Sequence, residues 1–196
     1  MVLLLALAAG LAAGLLLARR QGRPYVPPDL RHVWLAFTAF LPQWIGLYFP
    51  ARNFSEWLVA ASLLISQLLF LIFAWLNRRL PGMPVLIFGV ALNLAVMAAN
   101  SGFMPISPQT ASALISEDVL DVQPGSRFGP KDILLLPEHT RFEWLADRFL
   151  PPAWFPYQVA FSLGDIFIAI GAFWMLAYPS ALSNIEVHQH ERSANL

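Results

Sequence analysis

The chain has 196 residues, 58% of them hydrophobic and only 12% charged, and its twelve basic and twelve acidic side chains cancel. Soluble domains carry about a quarter charged residues, so this composition points to a membrane protein. No basic field is available for nucleic acid, and without cysteine there are no disulfides, thiolate catalysis or cysteine-ligated metals.

Residues 1–18 are almost wholly Leu, Ala, Val and Gly, and Arg19, Arg20 and Arg23 come after them. A signal peptide has its positive charge before the apolar run and small cleavage-site residues after it. The reversed order predicts a first transmembrane helix over 2–18 with its N-terminus outside. Gly10 and Gly14 make a small-xxx-small face, read either as a close approach for another helix or as part of an unpartnered anchor. Residues 23–30 form a Pro-rich extended connector. The second span, 33–49, contains Pro42, which predicts a kink or local opening. Trp34 at one end and Trp44, Tyr48 and Phe49 at the other suit the two membrane interfaces. In the third span, 57–76, Ser62 and Ser66 share a face and read as helix packing.

Pro81-Gly82 is a turn, and the fourth span covers 83–99. Asn93 within it and Asn100 at its end share a face, read as interhelical hydrogen bonding or as a substrate contact. With the N-terminus outside, Arg19, Arg20, Arg23, Arg31, Arg78 and Arg79 fall inside and Arg52 alone sits in a short outer loop. The region 100–156 is then outside. Within it, residues 107–121 predict a capped amphipathic helix, 132–136 a strand or re-entrant edge, and 140–150 a short interfacial helix carrying Phe142 and Trp144. The fifth span covers 159–178, and the tail 179–196, with His188 and His190, lies inside as a disordered polar segment.

The last span carries one charge, Asp165. A carboxylate in a membrane helix costs about 2.5–3.5 kcal/mol on insertion scales, so it needs a partner, a proton or a function. Asn100 with Gly102, the Asp147-Arg148 pair and Asp165 converge on the outer face. Two readings follow. Asp147 and Asp165 form an acid–base pair able to hydrolyse a peptide without metal or nucleophile, or Asp165 pairs with Arg148 or accepts bonds from Asn100 and Ser162, clasping the loop to the bundle.

Two resemblances attach to these residues. Asn100-Ser-Gly-Phe-Met-Pro, the 131–140 stretch and Phe161-Ser-Leu-Gly-Asp-Ile-Phe-Ile-Ala-Ile-Gly171 resemble a family of small bacterial multi-pass membrane proteins, domain of unknown function 5317. That implies a fold and a location but no activity. Leu145-Ala-Asp-Arg148, the Phe161–Gly171 stretch and Asn100-Ser-Gly are similar to motifs of lipoprotein signal peptidase. This second resemblance implies Asp147 and Asp165 as catalytic residues and Asn100 as substrate-positioning, with Gly102, Arg148 and Ser162 as further substrate-binding candidates. Ser162 and Gly164 stand where that family has Asn and Ala, and no Gly-Asn precedes Ala146-Asp147.

The expected fold class is all-α: one integral membrane domain, 1–196, of about five transmembrane helices with a structured extracytoplasmic loop between the fourth and fifth. The expected place is the cell inner membrane. Three functions stand open: an aspartyl membrane hydrolase, a binding or assembly subunit whose outer loop docks a partner or lipid, and a small carrier or proton path using Asp165. No cofactor or metal is expected. The partners are the lipid bilayer and a membrane protein or lipoprotein substrate.

Overall fold

The computed structural model describes residues 2–48, 55–114 and 123–178. The tail with His188 and His190, the loop holding Arg52, and the second half of the helix expected over 107–121 lie outside them. Mostly helical, the chain forms α1 (Val2–Arg20), α2 (Val33–Tyr48), α3 (Glu56–Leu76), α4 (Met83–Ala99), a one-turn α5 (Pro108–Ser112) and α6 (Leu163–Ala177). By length and apolar composition α1 and α3 are able to cross a membrane, while α4 and α6 are apolar but shorter.

Small residues set the helix packing. The glycines of α1 meet α6: a Cβ on Gly10 would lie 2.9 Å from Phe173 Cα, and one on Gly14 would strike the Leu176 carbonyl. The small-xxx-small face is therefore a helix–helix contact, with α1 and α6 running parallel. Gly89 of α4 packs on Gly164 and Ile168, and Gly171 of α6 on Leu86 and Gly82, which makes that pair antiparallel. Between α2 and α3 the Ser66 hydroxyl donates to the Ala39 carbonyl, whereas Ser62 bonds back to Val59 of its own helix. Pro42 lies inside α2. The core runs along this seam through Phe73, Ala74, Met83, Leu86, Val90 and Ala172.

Tight α4–α6 packing predicts a large penalty for one methyl group. In Gly171→Ala the new Cβ would sit 2.6 Å from Leu86 N and 2.7 Å from Gly82 O, backbone atoms that cannot rotate away. Overpacking of this kind costs about 1–3 kcal/mol. Thermal unfolding in detergent checks it, with Ile170→Ala on the exposed side of α6 as a control expected to change little.

The region 100–156 departs from the all-α expectation. It holds a three-stranded sheet of β1 (Met104–Ile106), β2 (Arg127–Phe128) and β3 (Asp132–Leu134), in the order β1-β3-β2. β1 pairs parallel with β3, Met104 opposite Asp132, and β2 pairs antiparallel with it. Residues 140–150 also differ from the helix expected there. A single 3-10 turn, Glu143–Leu145, follows Phe142, whose φ of 56° interrupts any regular helix. Beyond it the chain is extended: Asp147 N–H donates to Pro105 O at 3.0 Å, and Phe149 and Phe161 exchange backbone bonds at 3.1 and 3.0 Å. Pairing with Pro105 of β1 and with Phe161 satisfies these backbone groups and overrides the helical periodicity. Leu145, Ala146 and Asp147 are buried, and Phe142 and Trp144 point outward. Phe103, Met104 and Leu145 pack on Ala60, Leu63, Val96 and Met97, so this cap is seated on one end of the bundle.

Candidate functional site

The site lies where the cap meets α4 and α6. Ser107 caps α5 through the Thr110 N–H at 3.1 Å, as its Ser-Pro sequence predicts. At the end of α4, Gly102 N–H returns to Met97 O at 2.8 Å, and Ser101 (φ 58°) and Gly102 (φ 88°) are left-handed. This Schellman closure turns the chain into β1. A side chain at Gly102 would also press on Ala60, 2.7 Å from its Cβ. Asn100, the C-cap, holds the cap by its amide: Nδ2 donates to Val96 O at 2.8 Å and Arg141 O at 2.9 Å, and Oδ1 accepts from Arg141 N at 3.0 Å. Asn77 repeats this grip at the other end of the bundle on both backbone groups of Arg31. Asn100 thus faces the cap's own backbone, and Gly102 faces α3 at Ala60.

At the start of α6, Ser162 and Asp165 form a reciprocal capping box: Asp165 N donates to Ser162 Oγ at 3.0 Å and Ser162 N to Asp165 Oδ2 at 3.2 Å. Because Ser162 is the cap, α6 begins at Leu163 and residues 159–162 are extended. Asn93 of α4 closes a ring with them. It accepts from Ser162 Oγ at 2.8 Å and donates to Asp165 Oδ1 at 2.8 Å. Asn93 is therefore an interhelical bond. Arg148 takes no part; it pairs with Glu143 at 2.9 Å on the surface.

The centre of the site is a residue that the sequence reading passed over, Lys131, the chain's only lysine. Standing just before β3, it forms an ion pair with Asp132 Oδ1 at 3.1 Å and with the Asp147 carboxylate. Asp147 is 1% exposed, and among the described residues its Oδ1 has no hydrogen-bond partner. Asp165 lies within electrostatic reach of both Lys131 and Asp147. Burial pushes the Lys131 ammonium down, and the three carboxylates more than offset this, holding it well above the usual lysine range. Burial pushes Asp147 up, Lys131 draws it down, Asp132 and Asp165 push it up again, and the net lies well above the usual carboxylate range. Asp132 moves up as well, from burial against Lys131.

Below the cluster is a cavity of about 270 Å³. It lies between the α1–α6 pair and the α2–α3 pair, with α4 behind. Val2, Phe40, Phe70, Met97, Phe161 and Ile168 supply its apolar wall, and Ser66, Gln67, Asn93, Lys131 and Asp165 its polar one. Asp147 is not among the lining residues. The two aspartates singled out in the sequence thus belong to one buried cluster, but only Asp165 reaches the cavity, with Lys131 beside it. Among the described residues no group of His, Asp and Glu is arranged to hold a metal.

The sequence model of a family described as "Family of unknown function (DUF5317)" matches residues 28–177, and the chain belongs to that family. A protein of Thermotoga maritima described as "Uncharacterized protein" is 33% identical over 111 residues, covering 54% of this chain and 56% of the relative. The match thus spans little more than half of either protein. No solved structure matches the chain.

Proposed function

We propose that this member of the DUF5317 family is a multi-pass inner-membrane binding protein, whose outer cap covers a cleft that takes a small amphiphile. Five spanning helices, an outer N-terminus and an inner C-terminus agree with the arginines at 19–31 and 78–79 and with the alternating helix directions. A reporter active only outside the cell, fused after Leu196, is expected to stay silent. Activity there would overturn the topology.

The observation that carries the binding reading is the cavity itself. Its volume is near the lower end of ligand pockets, about 300–1,000 Å³, and it combines a mostly apolar wall with a few converging polar groups. A single chain or a head group fits; a whole two-chain lipid does not. Filling it tests the reading. Ala160 lines the cavity, and Ala160→Trp is expected to lower the amphiphile recovered with detergent-purified protein about tenfold, read by mass spectrometry of solvent extracts. Equal recovery from both proteins would sink the proposal.

One observation favours the hydrolase as a second reading: Asp147 and Asp165 do share a cluster. Acid–base hydrolysis asks both to face a substrate, and here Asp147 stands behind Lys131. Asp165→Asn keeps the side chain's size and removes the acid, while its amide oxygen can accept only one of the two bonds that Asn93 Nδ2 and Ser162 N give the carboxylate. A folded variant with full biological activity ends the hydrolase reading.

A further inference from the structure

We infer that the head group taken by the cleft is a primary ammonium, anchored on Asp165 with the Gln67 side-chain oxygen as second acceptor. This rests on the binding reading above and names its ligand class. Three observations support it. First, the cavity's polar wall has an excess of acceptors. Gln67 Oε1 is buried in the described structure without a hydrogen-bond partner, although Gln67 lines the cavity. An orphaned buried acceptor costs about 1–3 kcal/mol and is relieved by any donor delivered to it. Second, Asp165 spends one bond per oxygen, on Asn93 Nδ2 and on Ser162 N. A carboxylate has about four lone-pair sites, so acceptor capacity remains on a residue that lines the cavity.

Third, acceptors outnumber donors around Lys131. Three carboxyl groups, Asp132, Asp147 and Asp165, surround its single ammonium, and of the three only Asp165 lines the cavity. The neighbouring arginines do not compensate. The Arg127 guanidinium lies over the Phe103 ring at 5.4 Å and bonds Pro130 O, and Arg148 is on Glu143. A cation entering the cleft would bring three N–H donors to Asp165 and Gln67. The rings of Phe40, Phe70 and Phe161 in the same wall suit a cation's flank and an alkyl chain alike.

The shared chemistry is an ammonium on an apolar tail, from a free alkylamine or from an aminophospholipid head. Purified protein in neutral detergent is titrated by calorimetry with dodecylamine, lyso-phosphatidylethanolamine, dodecanol and dodecyl sulfate. One of the two ammonium probes is expected to bind at least about tenfold tighter than dodecanol and the sulfate, and whichever is tighter identifies the source. Asp165→Asn is expected to erase that preference, the ammonium probe falling to about the affinity of dodecanol. Gln67→Leu, which leaves the capping box intact, is expected to weaken the ammonium probe several-fold. Equal affinity for ammonium and alcohol, tighter binding of the sulfate, or an unaltered preference in Gln67→Leu would overturn the head-group inference alone. Failure of all four probes to bind would instead overturn the binding reading on which it stands.

Discussion

Lys131→Met is expected to loosen the cap more than any other single side-chain change described here. It leaves three carboxylates facing one another, and Asp147, 1% exposed, with no ammonium. Removing one partner of a buried ion pair costs about 3–5 kcal/mol. The Lys131 side chain is ringed by neighbouring groups yet keeps 30% of its surface accessible, through the cavity wall that it lines. Water there screens part of the loss, so about 2–4 kcal/mol is the better expectation. The damage should be local, because Lys131 joins β3 to the strap at Asp147 and not helix to helix. Protease cleavage between β2 and residue 150 should therefore accelerate before the bundle melts. Lys131→Met combined with Asp147→Leu restores much of the loss, since an apolar pair needs no counter-charge. If the double variant is no better than Lys131→Met, the cluster is not held together by this pair.

Apolar runs of 16 to 21 residues carry their own instruction, because hydropathy needs no knowledge of distant contacts. The helices accordingly lie close to where the sequence places them, except that α6 begins at Leu163 and not at 159, behind a Ser162-x-x-Asp165 cap that hydropathy does not register. The cap was far less legible. Its strands are two or three residues long, and the parallel pair matches Met104 with Asp132, a partner that no local pattern points to. The alternation of aromatic and charged residues over 140–150 reads as a helix until the backbone bonds of Asp147 and Phe149 to Pro105 and Phe161 are known. Asp165 was visible as the one charge in an apolar span, and Asp147 through its pair with Arg148 and the motif that the two resemble. Lys131 left one trace, as the only lysine among twelve basic residues. Its compact ammonium can be ringed by carboxylates, whereas a planar guanidinium prefers two-point contacts.

The pH dependence of Asp147→Asn offers the sharper view of the cluster. The folded carboxyl is held well above its ordinary range, first by burial, with Lys131 drawing it down and Asp132 and Asp165 pushing it up. A folded state that binds its proton more tightly than the unfolded chain gains full stability from it below the unfolded value, about 4. That contribution fades as pH rises through the raised folded value. Within this window the wild type loses up to about 1.4 kcal/mol for each pH unit on account of Asp147. The amide of the variant does not titrate, and Lys131 still has Asp132 and Asp165 beside it. Lys131 is held above the lysine range, so its own contribution is constant until pH passes that range and does not distort the comparison. Asp132 is raised in the wild type as well and pulls both proteins in the same direction. The expected result is a melting temperature for Asp147→Asn that gains on the wild type as pH rises above the unfolded carboxyl value, about 4. A gap that narrows as pH rises would mean that Lys131 outweighs burial and holds Asp147 ionised. The pair would then be a clasp of fixed charge.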